Sequence, residues 1–476
     1  MLRRVVLRFA RDRKANIAVI FALMTVPIVF LLGMTLDYTQ AVRKREQLNA
    51  AADAAAIAAV RPAMLTQTDK TVVQATAAAV FAAKANLPGL ATVPTPTITV
   101  TDSGLARSIT VSYTAQSVNN FPSVLGKQNW DVAGSATAKA SSAPNMNFYL
   151  LLDDSPSMAI AATQTNIDNM IAATKNQPSY AKGCAFACHE TRPNNAAASS
   201  TNKDNLTIAR ANNIVLRIDL VTNAVTQLLK GPWTSCPQSG VTGGVMQCMS
   251  ALNNTTYKAA IYTFDYALNT IQTLTTPDTA ATKIANIQLL TVDHQNCPIV
   301  DSKGNCTYTT DYGTDISKGL TGVNAVMPLP GTGTNQAGDT PQEVVFLVTD
   351  GVEDKLIPKS GGTCDANATY ALPTANSTTL RCQQPLDTAI CTTIKNRGIR
   401  IAVLYTEYLP LPTESWYNTR IAQFNSPSSS TGTIATRLQS CASPGLYASV
   451  QTGGDISAAL TNLFIKVASS TASLVQ

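Results

Sequence analysis

Asn147-Phe148-Tyr149-Leu150-Leu151-Leu152-Asp153-Asp154-Ser155-Pro156-Ser157 is the stretch that decides the fold. Its first six residues form an apolar run without alternation, the pattern of a strand buried on both faces. The run breaks into two carboxylates and two hydroxyls, as a buried parallel strand does where it opens into a functional loop. Downstream, helical and extended patterns alternate. A helix is expected over Ile208–Lys230, with Ile214, Leu216, Ile218, Leu220, Val221, Val225 and Leu228 on or near one face. A strand at Tyr257–Phe264, a helix near Ala281–Leu290, a helix at Asp315–Val326 and a strand at Glu343–Val348 follow. Helix 386–396, strand Ile399–Tyr405 and helix Asp455–Ala468 close the chain. Strands alternating with helices mean an α/β domain over 146–470, a mainly parallel sheet flanked by helices. Two interruptions near 160–205 and 231–256 are rich in Asn, Ser, Thr and Gly and carry cysteines, so they read as surface insertions.

Upstream the pattern is different. Ile17–Leu36 is a run of 20 residues without a charge, the length a helix needs to cross about 30 Å of hydrocarbon. Pro27 inside it is tolerable in a membrane helix. The alternative, a cleaved signal peptide, meets the absence of a small-x-small cleavage site after the run. Six basic residues precede the span, against Arg43, Lys44 and Arg45 behind it, so residues 1–16 are expected in the cytoplasm and the body outside. Residues 37–61 then read as an Ala-rich helical stalk stopped at Arg61-Pro62. With the span it would make one rod of about 45 residues, or ~65 Å. Being poor in large apolar groups, it requires a packed neighbour or partner. Residues 62–142 read as a small α+β module: a helix over 68–87 and strands at Thr97–Thr101, Ser108–Thr114 and Trp130–Lys139.

Charge supports this division. Only 13% of the 476 residues are charged, which argues against a disordered or nucleic-acid-binding chain. The net charge of +6 lies within residues 1–46, where nine basic groups face three acidic ones, and the remainder is neutral. All 10 cysteines fall between Cys184 and Cys441, in loop-like surroundings, and an even number in an exported region reads as disulfides. Cys184, Cys188 and His189 also have the outline of an expanded haem c attachment, C-x-x-x-C-H, although disulfides are the simpler reading. His189 and His294 are the only histidines, too few for a multi-histidine zinc site.

Three separated segments bring one chemistry together: Asp153-x-Ser155-x-Ser157 after the first strand, Thr314 ahead of a helix, and Thr349-Asp350-Gly351 after a later strand. In a doubly wound sheet the carboxyl ends of the strands share one crevice. Hydroxyls and carboxylates there form a hard, all-oxygen site suited to Mg²⁺, with Mn²⁺ or Ca²⁺ as alternatives. Hydroxyl ligands leave the ion electron-poor, so an open position would recruit an acidic group from a partner. Glu353 and Asp354 read as a solvated rim of the metal site or simply a polar loop, and Asp265 as a loop acid.

The ordered set D-x-S-x-S, Thr, T-D-G resembles the metal-ion-dependent adhesion site of von Willebrand factor A domains. The resemblance implies that Ser155, Ser157 and Thr314 bind the ion directly, that Asp153 and Asp350 act mainly through bound water, and that Asp154 has no direct role. Residues 3–60, with Ala-Ala-Asp-Ala-Ala-Ala at 51–56, resemble the opening of TadE/TadG-like proteins of bacterial Tad pilus systems. TadG-like proteins join such a segment to a von Willebrand A domain. This implies a single-pass inner-membrane protein that assists assembly or anchoring of a Tad/Flp-type pilus, with pilus or envelope components as protein partners and no nucleic acid. A surface or secreted adhesin with the same metal site is the alternative. A metal-dependent hydrolase is a third reading, for which no paired nucleophile and base is evident.

Overall fold

The structure, a computed structural model, describes residues 15–122, 126–177, 182–188, 204–291, 313–364, 371–373, 378–425, 433–451, 453–469 and 474–475. The chain divides into two units, residues 1–142 with 472–476, and residues 143–471.

The first unit is organised on one helix, Ala15–Ala59, 45 residues long with Pro27 inside it. Among the described residues it is the one helix long and apolar enough to cross a membrane, by length and composition. Ile17, Phe21, Leu23 and Leu31 are exposed in its first half. Its second half is not a free rod. Ala41, Leu48, Ala52, Ala55 and Ala59 are buried at helical spacing. They pack with the helix Lys70–Ala85, whose Val73, Ala77, Phe81 and Ala85 form an i, i+4 stripe. Both helices cover an antiparallel meander of β1 (Thr97–Ser103), β2 (Ala106–Val118) and β3 (Asn129–Ser141). Ile109, Val111 and Tyr113 on β2, and Val132, Ala136 and Ala140 on β3, alternate towards the helices.

Polar contacts fix where the long helix sits. The Asp37 carboxylate accepts from the amides of Asn120 at 2.8 Å and Phe121 at 3.1 Å. Lys44 donates to the Gly89 carbonyl at 2.5 Å and to the Ser117 hydroxyl at 3.2 Å. The Tyr113 hydroxyl donates to Asn49 Oδ1 at 2.7 Å. Gly134 is required there, since a Cβ would lie 2.2 Å from Asn49 Oδ1.

The second unit is built on a six-stranded sheet of β4 (Met146–Asp153), β5 (Tyr257–Phe264), β6 (Leu268–Thr275), β7 (Gln342–Thr349), β11 (Arg400–Thr406) and β12 (Tyr447–Val450). The strand order is β12-β11-β7-β4-β5-β6, parallel except for β6, which returns antiparallel beside β5. Every residue of β4 is buried, as its unbroken apolar run requires. On one face Phe148 and Phe346 receive Phe464 of the closing helix Ile456–Ser469. On the other, Phe264 meets Gly319 of the helix Ile316–Val326.

Several expectations change. The single helix over Ile208–Lys230 is two, Asn205–Ala211 and Arg217–Leu229. Asn213 adopts a left-handed φ of 53° between them, and Leu216 is extended in a bridge to Ala161. The helix near Ala281–Leu290 reduces to Pro277–Ala281 and a 3-10 turn at Ile284–Asn286. The expected insertions contain packed helices, Gln164–Ala173 and Val245–Asn253, with Ile167, Met170, Val245 and Met246 buried. An unexpected antiparallel sheet joins β8 (Val352–Pro358), β9 (Ala371–Pro373) and β10 (Thr379–Pro385), in the order β8-β10-β9.

Disulfides link Cys184–Cys188, Cys236–Cys248, Cys364–Cys382 and Cys391–Cys441. Cys184 and Cys188 therefore bind each other rather than a haem. Cys297, Cys306, His189 and His294 lie outside the described residues.

Phe148 packs against Tyr257, Phe346 and Phe464 with ring centroids 5.3, 5.9 and 4.9 Å away. Phe148→Ala is expected to destabilise the second unit by about 3–5 kcal/mol. Urea unfolding followed by tryptophan fluorescence would read this as a lower midpoint.

Candidate metal centre

The site forms where β4 and β7, neighbours in the sheet, end together. Parallel pairing aligns Leu152 with Val348, so Asp153 and Thr349 leave the sheet side by side. The Thr349 hydroxyl donates to Asp153 Oδ2 at 2.6 Å, and the Ser155 amide donates to Asp153 Oδ1 at 3.0 Å. Ser155 turns the chain into a 3-10 turn at Pro156–Ala159, and its hydroxyl lies 3.2 Å from that of Ser157. Gly351 has φ +81° and its amide donates to the Thr349 hydroxyl at 3.0 Å. A Cβ there would meet Ile434 at 2.5 Å, so glycine satisfies both the turn and the packing.

Asp153, Ser155 and Asp350 are fully buried, and Ser157 and Thr314 nearly so. Burial, then the negative charge of Asp350, pushes the Asp153 carboxyl up to about 8, although hydrogen bonds from Ser155 and Thr349 pull it down. Asp154 is raised to about 7, chiefly by burial. Its backbone is tied to Phe264 and Leu290.

Two residues missed by sequence reasoning hold Asp350. The Tyr408 hydroxyl donates to Asp350 Oδ2 at 2.6 Å. Arg217, 3% exposed, places Nη1 3.6 Å from the same oxygen and Nη2 2.9 Å from the Glu407 carbonyl. Its guanidinium lies 4.6 Å from the centre of the Tyr408 ring. Burial, then the charge of Asp350, raises the Tyr408 phenol well above its ordinary range. No spacing announces these residues, because Arg217 opens a helix and Tyr408 follows β11 in a loop.

Thr314 reaches the crevice through the sheet that the sequence did not reveal. Its amide donates to the Asp354 carbonyl at 3.1 Å, and the Asp354 amide donates back to the Thr314 carbonyl at 2.8 Å. Glu353 is therefore no part of a solvated rim. Glu353 is fully buried and accepts from the Ser317 amide at 2.9 Å and from Lys355 at 2.6 Å. Asp354 is paired with Arg381. Both acids hold the loop that carries Thr314. Thr314 and Ser157 line one cavity of about 130 Å³. Asp265, the expected loop acid, accepts from the Ala267 amide and the Asn269 side chain.

The donor set fits a hard divalent cation. Adjacent oxygens on an octahedron are about 2.9 Å apart around Mg²⁺ and about 3.3 Å or more around Ca²⁺. The Ser155–Ser157 separation of 3.2 Å suits either. Among the described residues, no three His, Cys, Asp or Glu side chains cluster to hold an ion. An ion here would rest on hydroxyls, with Asp153 and Asp350 beside them already accepting hydrogen bonds. It would also offset the repulsion between those carboxylates.

Arg217→Met would strand a buried carboxylate, at an expected cost of about 3–5 kcal/mol. Adding Asp350→Asn should restore most of that stability, a coupling that a double-mutant cycle of thermal or urea unfolding measures.

Residues 15–62 match a family model described as "Putative Flp pilus-assembly TadE/G-like". No curated protein matches the chain. Solved structures that resemble it include the von Willebrand factor domain of the type V pili tip protein Mfa5 from Porphyromonas gingivalis. That match is 10% identical, covers 69% of this chain and 96% of the other, and has a TM-score of 0.32. The PilB minor pilin from Streptococcus sanguinis is 11% identical over 79% of this chain and 78% of its own, with a TM-score of 0.31. Proximal thread matrix protein 1 from the mussel byssus, solved with a zinc-occupied MIDAS motif, is 13% identical over 69% of this chain and 48% of its own, with a TM-score of 0.27. The family match falls on the helix that is long and apolar enough to cross a membrane, and it supports a pilus-associated protein.

Proposed function

We propose that this chain is a single-pass inner-membrane protein that assists assembly or anchoring of a Tad/Flp-type pilus. Its body lies outside the cytoplasm and captures a protein ligand through a divalent cation, Mg²⁺ in the first instance. Ser155, Ser157 and Thr314 would hold the ion directly, with Asp153 and Asp350 acting through water. When bound, the ion supplies an open coordination position for an acidic group of the partner. The role is one of binding, not catalysis.

One observation carries the proposal: two serine hydroxyls 3.2 Å apart stand beside two buried carboxylates, at the carboxyl ends of adjacent parallel strands. The chain's own residues do the positioning. Thr349 orients Asp153, while Tyr408 and Arg217 orient Asp350. The bridge from Thr314 to Asp354 ties Thr314 to β8, and Thr314 lines the cavity that Ser157 also lines. The pilus assignment rests on the match at residues 15–62.

Calorimetric titration of Mg²⁺ and Mn²⁺ into the full chain tests the site. One ion should bind the unaltered protein, and none should bind a Ser155→Ala/Ser157→Ala variant with an unchanged melting transition. Equal heats from both proteins would sink the metal assignment. Deleting the coding sequence should reduce piliation and surface attachment, and unchanged levels would remove the pilus role.

A further inference from the structure

The apolar run Ile17–Leu36 ends one residue before Asp37, and its 20 residues cover about 30 Å of hydrocarbon. A bilayer around that run therefore ends within about one helical turn of Asp37. Asp37 is buried against the end of β2, where its carboxylate accepts from the amides of Asn120 and Phe121 at 2.8 and 3.1 Å. Side chains of a helix tilt towards its N-terminus, so this contact is made on the side of the apolar run. The first unit thus holds Phe121 at the level where the helix leaves that run.

This end of the unit is aromatic and apolar on its outer surface. Tyr38 is 57% exposed and Phe121 38%, and Leu36 and Val118 are exposed beside them. Tyr38 meets the half-buried Trp130 edge to face, with ring centroids 6.0 Å apart. Lys127 Nζ lies 5.9 Å from the centre of the Trp130 ring. Asn119 fixes the backbone here: its amide donates to the Gln128 carbonyl at 2.9 Å, and its side chain donates to the Lys127 carbonyl at 2.8 Å. Aromatic rings with a polar edge, gathered where an apolar helix ends, suit the boundary between lipid and water. Charge does not select a particular lipid, because Lys127 and Asp131 lie 3.8 Å apart and offset each other. A protein partner or a second copy would have to share this surface with the bilayer that the span brings to it.

We infer that the end of the first unit nearest Asp37 rests in the polar–apolar boundary of the bilayer. Tyr38, Phe121 and Trp130 lie there at the depth of the headgroups and upper acyl chains. The span and the unit then both meet the membrane, which restrains the long helix from swinging about its exit. This goes beyond the anchoring proposed above and rests on it for the position of the span.

The test places the full chain in phosphatidylcholine liposomes with bromine either high on the acyl chains or near their ends. Tryptophan emission is read against unbrominated liposomes. The chain has three tryptophans, Trp130, Trp233 and Trp416. Bromine high on the chains should quench part of the emission, and bromine near the chain ends should quench less. Trp130→Phe should remove the quenched part, and adding Phe121→Trp to that variant should restore it. Absence of quenching in the unaltered chain overturns the inference without any variant. So does quenching that Trp130→Phe leaves unchanged, or no recovery on Phe121→Trp in a chain with an unaltered melting transition. An alkaline carbonate wash keeps the two readings apart. A chain washed off the liposomes removes the membrane span and this inference together, whereas a chain that stays bound but unquenched removes this inference alone.

Discussion

Asp153 and Asp350 are two carboxylates withdrawn from water at the ends of adjacent strands, and the second unit is arranged around keeping them there. Unpaired, a buried carboxylate is costly enough to take up a proton or disrupt the fold. Each is met by a separate set of donors. Thr349 and the Ser155 amide satisfy Asp153, while Tyr408 donates to Asp350 and Arg217 supplies positive charge. These donors come from the turn after β4, from β7, from the loop after β11 and from the start of the Arg217–Leu229 helix, so the site is a product of the whole sheet. A cation between the hydroxyls would complete an arrangement whose remaining imbalance is electrostatic.

The antiparallel sheet β8-β10-β9 extends that logic outward. Because Gly351 turns the chain sharply after Asp350, β8 starts at the rim of the crevice, and its Asp354 pairs with Thr314 as an isolated bridge. Glu353 receives the Ser317 amide in the first turn of the Ile316–Val326 helix. Two acids beside the T-D-G segment thus fix the position of a hydroxyl far from it in sequence.

The first unit solves a different problem. A helix that runs out of an apolar segment and is rich in alanine has little side-chain volume with which to hold a neighbour. Alanine compensates by permitting close approach, and the sheet meets it with Gly134 where Asn49 and Tyr113 join. Asp37 and Lys44 then tie the helix to Asn120, Phe121, Gly89 and Ser117. Small apolar contacts supply proximity, and a few directional polar bonds fix the register.

The sequence by itself determined the β/α alternation, the apolar span, the three strands of the first unit and the segments that supply the candidate metal ligands. These are local properties: an unbroken Asn147–Leu152 run belongs to a strand covered on both faces, and Thr-Asp-Gly after an apolar strand marks a turn. Tertiary structure decided what depends on neighbours. Asn213 in a left-handed conformation divides a segment whose apolar periodicity would suit one helix. Glu353 looks like a surface acid until Ser317 and Lys355 close over it. Arg217 and Tyr408 lie far from the motif in the chain, and their roles exist only because sheet order brings strand ends together. Periodicity reports which face of an element is buried, whereas the partner of a buried charge is set by long-range packing that no local pattern encodes.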